Sequence, residues 1–200
     1  MQLIGMLDSP FVRRVAITLR MLDVDFQHRS LSVFSTYDEF RRINPVVKAP
    51  TLILDDGQTL MDSTLIIDLI EHQHGRSLMP GESTARIRAT RLLGLALAAM
   101  EKAVQRYYEQ QRPQDKQHAP WQGRVEEQLL AACEALERDL ASQPLPRDEH
   151  IDQAGLSIAV AWTFIQLLHA QHIPADSYPN LRDWTAHAES LEAFKAFPPV

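Results

Sequence analysis

Three short stretches hold the residues whose types and spacing can do chemistry. In LDSPFVRR, residues 7–14, a hydroxyl stands where a helix N-cap is expected, and a proline occupies the first helical position, where a missing N–H costs nothing. A helix N-terminus gathers free N–H groups and a positive dipole end, so Ser9 is either a cap or a stabiliser of an anion brought by a ligand. In Lys48-Ala49-Pro50, a cis X–Pro bond would turn the N–H and C=O of Ala49 toward a cleft instead of a sheet partner. Asp62-Ser63 opens a further apolar helix pattern, where a hydroxyl with adjacent N–H groups suits a carboxylate and an acid suits an ammonium. Together the three fit an extended, peptide-like ligand whose middle pairs with backbone as a strand pairs with a sheet edge, and one end of which carries an amino acid's charges.

These stretches must be positioned by regular elements, and the hydrophobic pattern supplies them. Residues 2–7 form a short apolar strand. Phe11, Val12, Val15, Ala16, Leu19 and Leu22 recur at helical spacing, which leaves Arg13, Arg14 and Arg20 largely on the opposite, polar side. VDFQHRSL, around 24–31, alternates as a second strand, and a helix over 36–43 ends at Asn44-Pro45. Ala49 to Met61 reads as a hairpin around Asp55-Asp56-Gly57. STLIIDLIEHQHG then forms a helix with Leu65, Ile66, Leu69 and Ile70 on one face and Gly75 as C-cap. The order is βαβα followed by ββα. After the polar connection GRSLMPGES every pattern is helical: roughly 84–111, 122–142, 152–171, 179–187 and 190–196, separated by loops such as QPLPRDEH.

Composition narrows the classes. A formal charge of -6 with no Lys/Arg block argues against a nucleic-acid protein. Hydrophobic content of 45% with 23% charged residues is that of a globular protein large enough to bury a core. No stretch approaches membrane-spanning length and the opening MQLIGMLDS lacks a signal-peptide pattern, so cytoplasmic residence is expected. Cys133 is the lone cysteine and reads as a small buried residue. No metal site is expected: His72 and His74 are two apart on a helix, and His169 and His172, three apart, have no third ligand. A Ser-His-Asp hydrolase centred on Ser9 lacks both the G-x-S-x-G elbow and a base.

SPFVRR, NPVVKAP and MDSTLII, in this order and spacing, resemble the thioredoxin-like half of cytosolic glutathione S-transferases, and the helical remainder resembles their second half. Within that superfamily the chain is similar to serine-type members, including plant tau-like and bacterial stringent-starvation-like sequences. The resemblance implies an α+β two-domain fold: a thioredoxin-like βαβαββα domain with a cis-proline over 1–76, a linker over 77–83, and an all-α helical bundle over 84–200. It implies glutathione as co-substrate, no tightly bound cofactor, an electrophilic, hydrophobic small molecule as second substrate, a role in detoxification, and a homodimer.

Matched position by position, the resemblance makes Ser9 the hydroxyl that hydrogen-bonds the glutathione sulfur, with Arg13 nearby. A thiol with a pKa near ~8.5 is mostly protonated at neutral pH, and lowering it by about two units takes roughly 2.7 kcal/mol of preferential thiolate stabilisation. Ala49 then meets the cysteinyl part through its backbone, Pro50 is the cis-proline, Lys48 faces the glycyl carboxylate, and Asp62 and Ser63 take the γ-glutamyl ammonium and carboxylate. Phe11, with Tyr107, Tyr108 and Trp162 chosen by residue type, forms the apolar acceptor pocket. The chain departs from the pattern in three places. Asp62 replaces a longer acid or amide, Ala49 replaces Val or Ile, and Gly155 stands where the Asp152 capping signal should close with an acid. A non-catalytic protein on the same scaffold, binding or regulatory, is the alternative.

Overall fold

The structure is a computed structural model that describes residues 1–148 and 150–199. The chain folds into two compact units, Met1–Leu78 together with the residues from Leu191 on, and Met79–Ser190.

The first unit contains β1 (Gln2–Ile4), α1 (Pro10–Met21), β2 (Gln27–Arg29), α2 (Tyr37–Ile43), β3 (Thr51–Ile53), β4 (Thr59–Met61) and α3 (Ser63–His74). Its sheet runs β2-β1-β3-β4, with β1 parallel to β2 and antiparallel to β3, and β3 antiparallel to β4. This is the thioredoxin-like arrangement, and Ala49–Pro50 is cis. Leu3, Leu52, Val12, Val15, Ala16, Leu19, Ile66 and Ile70 form its core.

Two expectations about helix faces fail. Arg13 and Arg14 are each 1% exposed, not on a polar outer side. On α3, Leu65 is 66% exposed, while Ile67 is buried with Ile66 and Ile70. Arg14 Nη1 donates to the Ser63 Oγ at 2.9 Å, so α3 is anchored through its first residue. Ser63, Ile66, Ile67 and Ile70 then share the inward stripe at helical spacing. Arg13 is covered from another side: its Nε donates to the Phe197 carbonyl at 2.8 Å and its guanidinium carbon lies 5.8 Å above the Phe194 ring. Phe197 stacks on Phe26. A short helix, α8 (Glu192–Lys195), thus packs with the first unit, whereas the sequence boundary had assigned residues 191–200 to the helical half.

The second unit is built from α4 (Ser83–Gln110), α5 (Ala119–Ser142), α6 (Gln153–His169) and α7 (Pro179–Glu189). The loop QPLPRDEH joins α5 to α6, and its Glu149 lies outside the described residues. α6 is apolar on every side and buried along nearly its whole length, as a central core helix must be. Asp152 Oδ1 accepts from the Gly155 N–H at 2.7 Å, so the cap forms without a reciprocal acid. Gly155 itself has a packing reason: a Cβ there would stand 2.7 Å from Trp184 Cζ2, and Trp184 Nε1 donates to the Gly155 carbonyl at 2.9 Å. Cys133 is fully buried, and burial pushes its thiol up to about 12. His169 is 1% exposed; Arg106 Nη1, which can only donate, faces its Nδ1 at 2.9 Å, and its Nε2 faces the Ala103 carbonyl at 2.9 Å. Both ring nitrogens are therefore engaged by a neutral ring. Among the described residues no three His, Cys, Asp or Glu side chains gather to hold a metal, and no helix is long and apolar enough to cross a membrane.

Two predictions follow from this packing. Gly→Ala inside a helix ordinarily stabilises, but Gly155→Ala must displace the Trp184 ring and lowers unfolding free energy by about 1–3 kcal/mol in denaturant titration. Burial holds the folded-state pKa of His169 below the ordinary 6.5. As pH falls the unfolded chain therefore binds the proton first, so the stability is complete above 6.5 and is lost as pH drops toward the folded value. The melting temperature should fall between pH 7.5 and 5.5 (values on the order of the His range), and His169→Gln should flatten that slope.

Candidate functional site

One rung of the sheet brings the three stretches together. Ile4 pairs with Thr51, and Thr51 pairs with Met61. The turn leading to Ser9 leaves the sheet just after Ile4, Lys48-Ala49-Pro50 enters it just before Thr51, and Asp62-Ser63 leaves it just after Met61. All three therefore stand at one end of the sheet. Gly5 tightens the group: its φ is +136°, and a Cβ there would lie 2.6 Å from Val12 Cγ2 and 3.2 Å from the Ala49 Cβ. Only the missing side chain lets the Ala49 turn close on the first turn of α1.

Ser9 occupies the N-cap position of α1 with extended backbone, yet its side chain makes no capping hydrogen bond. Its carbonyl accepts from the Arg13 N–H at 3.0 Å, so the residue is held while its half-buried hydroxyl is left to another partner. Pro10 is buried and Phe11 half-buried. At the hairpin entry Lys48 is exposed, Ala49 is half-buried and Pro50 is buried. Among the described residues neither the N–H nor the C=O of Ala49 has a protein hydrogen-bond partner.

At the start of α3, Asp62 Oδ1 accepts from the Thr64 N–H at 2.9 Å with φ at +74°, a conformation a side chain seldom takes. Ser63 is 3% exposed. Because Arg14 donates to the Ser63 oxygen, the single Ser63 proton is free to point at a ligand, and a second bond from Arg14 Nη1 to Thr64 Oγ1 at 3.2 Å fixes the same turn. Burial pulls the Arg14 guanidinium down to about 10, against the opposing pull of Asp62 and Glu71, so it remains charged at neutral pH behind a helix N-terminus. Arg14 was missed in the sequence because its apolar neighbours cast it as a solvated residue; the hydroxyl pair at 63 and 64 gave no sign of its partner.

Two assignments change. Arg13, expected near the glutathione sulfur, is buried, with its Nε donating to the Phe197 carbonyl and its guanidinium over the Phe194 ring. Trp162 is 3% exposed and packs on Tyr178 with ring centroids 5.3 Å apart, so it is core of the helical unit and not a pocket wall. Tyr107 is half-buried beside Tyr108, whose side is 45% exposed.

Residues 3–80 match the family described as "Glutathione S-transferase, N-terminal domain". The GST-like protein YibF of Escherichia coli (strain K12) is 26% identical over 200 residues, covering 100% of this chain and 98% of its own. A crystal structure of a glutathione transferase family member from Pseudomonas fluorescens Pf-5, with bound glutathione, is 28% identical with a TM-score of 0.82, covering 100% of this chain and 98% of the other. Probable maleylacetoacetate isomerase 1 of Drosophila melanogaster is 31% identical over 93 residues, 44% of this chain and 37% of its own. With the sheet, the cis-proline turn and the helical second unit, these define a glutathione transferase fold. The family match covers residues 3–80, and the likeness of the whole chain to these structures is one of fold.

The positive φ at Asp62 separates two substitutions. Asp62→Ala loses the cap and should cost about 1 kcal/mol, whereas Asp62→Gly relaxes the backbone as it loses the cap and should stay within about 0.5 kcal/mol of the unaltered protein in thermal unfolding.

Proposed function

We propose that this protein is a glutathione-dependent enzyme of the transferase type, serine-type and tau-like in its site, in which Ser9 ionises the thiol of bound glutathione. The observation that carries this is the Ser9 hydroxyl, placed at a helix N-terminus without a cap bond and at the same sheet end as the unpaired Ala49 backbone and the Ser63 hydroxyl. Ala49 receives the cysteinyl backbone, Pro50 shapes its turn, Lys48 meets the glycyl carboxylate, Ser63 donates to the γ-glutamyl carboxylate, and Asp62 attracts its ammonium through the oxygen not used on Thr64. The thiol proton passes to solvent, and the thiolate is held by the Ser9 O–H and the dipole of α1. The sulfur then forms a bond to an electrophilic carbon of an apolar small molecule, for which Phe11 offers a surface. In a substitution the leaving group departs with its electron pair; in an addition the adjacent carbon takes a proton. A homodimer, cytoplasmic residence and detoxification belong to the same proposal, with glutathione the co-substrate and no tightly bound cofactor. The likeness to a maleylacetoacetate isomerase supports a second reading, in which the thiolate adds reversibly and the product is an isomer.

Titration of the ultraviolet thiolate absorbance of glutathione against pH tests the ionisation. With the unaltered protein the bound thiol should titrate about two pH units below the free thiol, and with Ser9→Ala it should return most of the way. Bound glutathione with an unshifted thiol would instead indicate a binding or regulatory protein on this scaffold.

A further inference from the structure

If the reading above holds, the Ala49 backbone must be held still to meet the cysteinyl part of glutathione, and the groups that hold it lie outside the residues assigned so far. Asn44, at the end of α2, is 4% exposed and Thr51 is fully buried. The Asn44 side chain faces three segments at once. Its Oδ1 accepts from the Val46 N–H at 3.0 Å, and its Nδ2 donates to Thr51 Oγ1 at 2.9 Å and lies 3.6 Å from Met61 Sδ. Thr51 Oγ1 in turn donates to the Lys48 carbonyl at 2.7 Å. The backbone of Asn44 is engaged as well, its N–H donating to the Phe40 carbonyl and its carbonyl accepting from the Val47 N–H, both at 2.9 Å.

The relay has one direction. The hydroxyl owns a single proton, which goes to Lys48, so its lone pair must receive from Asn44. Removing the Thr51 hydroxyl leaves the Asn44 Nδ2 short of an acceptor and frees the carbonyl that immediately precedes Ala49, whereas removing the Asn44 donor leaves the Thr51 lone pair unmet and the hydroxyl no longer held in its direction. Met61 directly precedes Asp62, so the same amide also touches the segment that presents the α3 N-terminus.

We propose that Asn44 and Thr51 are positioning residues for glutathione: they lock the Lys48-Ala49 turn in register with the Asp62-Ser63 seat, so that the middle and one end of the tripeptide are met together. Neither touches the ligand. They act through the Lys48 carbonyl on one side and the end of β4 on the other.

Thr51→Val keeps the shape and removes the hydroxyl, and Thr51→Ser keeps the hydroxyl. In isothermal titration calorimetry of the full chain with glutathione, Thr51→Val should raise Kd about tenfold while Thr51→Ser stays within about twofold of the unaltered protein. A purely structural role would lower the binding stoichiometry or the melting temperature and leave Kd in place; that result, or equal Kd values for Thr51→Val and the unaltered chain, overturns the proposal. Should Thr51→Val fail to fold, Asn44→Asp, which keeps the shape and removes the Nδ2 donor, must show the same rise in Kd, and an unchanged Kd overturns the proposal. Failure of the unaltered chain to bind glutathione overturns the function proposed above and this inference with it.

Discussion

The pairing of Ile4 with Thr51 and of Thr51 with Met61 is the constraint on which the site depends. Strand side chains alternate with a period of two, so a slip of one residue in either ladder would turn Leu52 from the core to the opposite face and shift one of the three loops along the sheet. The register is fixed by burial: Leu3, Ile4, Thr51 and Leu52 are all fully enclosed. The strands are only three residues long, so their own hydrogen bonds are few, and the position of the loops is secured largely by what packs above and below them.

Much of that support is polar. Arg14 under the start of α3 and Asn44 under the cis-proline turn are both buried, and each satisfies side-chain or backbone groups of the segments gathered at this end of the sheet. A buried guanidinium is costly to desolvate, and its lowered pKa records that cost. An apolar residue would pack there without that penalty. What it would lack is direction: an arginine donates to the Ser63 oxygen and so turns the Ser63 proton away from itself. On this account polar groups are placed beneath the site for orientation, and the stability of the unit comes from the apolar cluster around Leu3, Val15, Leu52 and Ile66.

The order of elements, the hairpin, the capped start of α3 and the Gly75 C-cap were legible because each depends on local rules: apolar period, turn residues and capping residues. The faces of α1 and α3 were not. Hydrophobicity cannot assign Arg13 and Arg14 to the interior, because what makes burial tolerable is a partner distant in sequence: Phe197 lies 184 residues from Arg13 and Ser63 lies 49 from Arg14. The same holds for Gly155, read as a weakened cap from its neighbours and explained only by the ring of Trp184, and for Trp162, whose aromatic character is as well suited to a pocket wall as to the core position it takes against Tyr178. Local signals locate the loops that carry chemistry; the groups that orient them are set by contacts across the fold.

Ser9 shows how local rule and site diverge. Its type and position are those of an N-cap, and a side-chain cap is ordinarily worth about 1 kcal/mol to a helix. α1 nevertheless starts without that bond. The helix tolerates the omission because Pro10 removes one of the donors that a cap would satisfy, Pro10 and Val12 are already buried, and the Ser9 carbonyl accepts the first helical bond. The remaining first-turn N–H groups receive no side-chain cap from Ser9. Stability left unused at a helix terminus is the pattern expected where local rules yield to function, and here it yields a hydroxyl whose unassigned proton and a dipole whose unassigned positive end can both be met by a single negative charge.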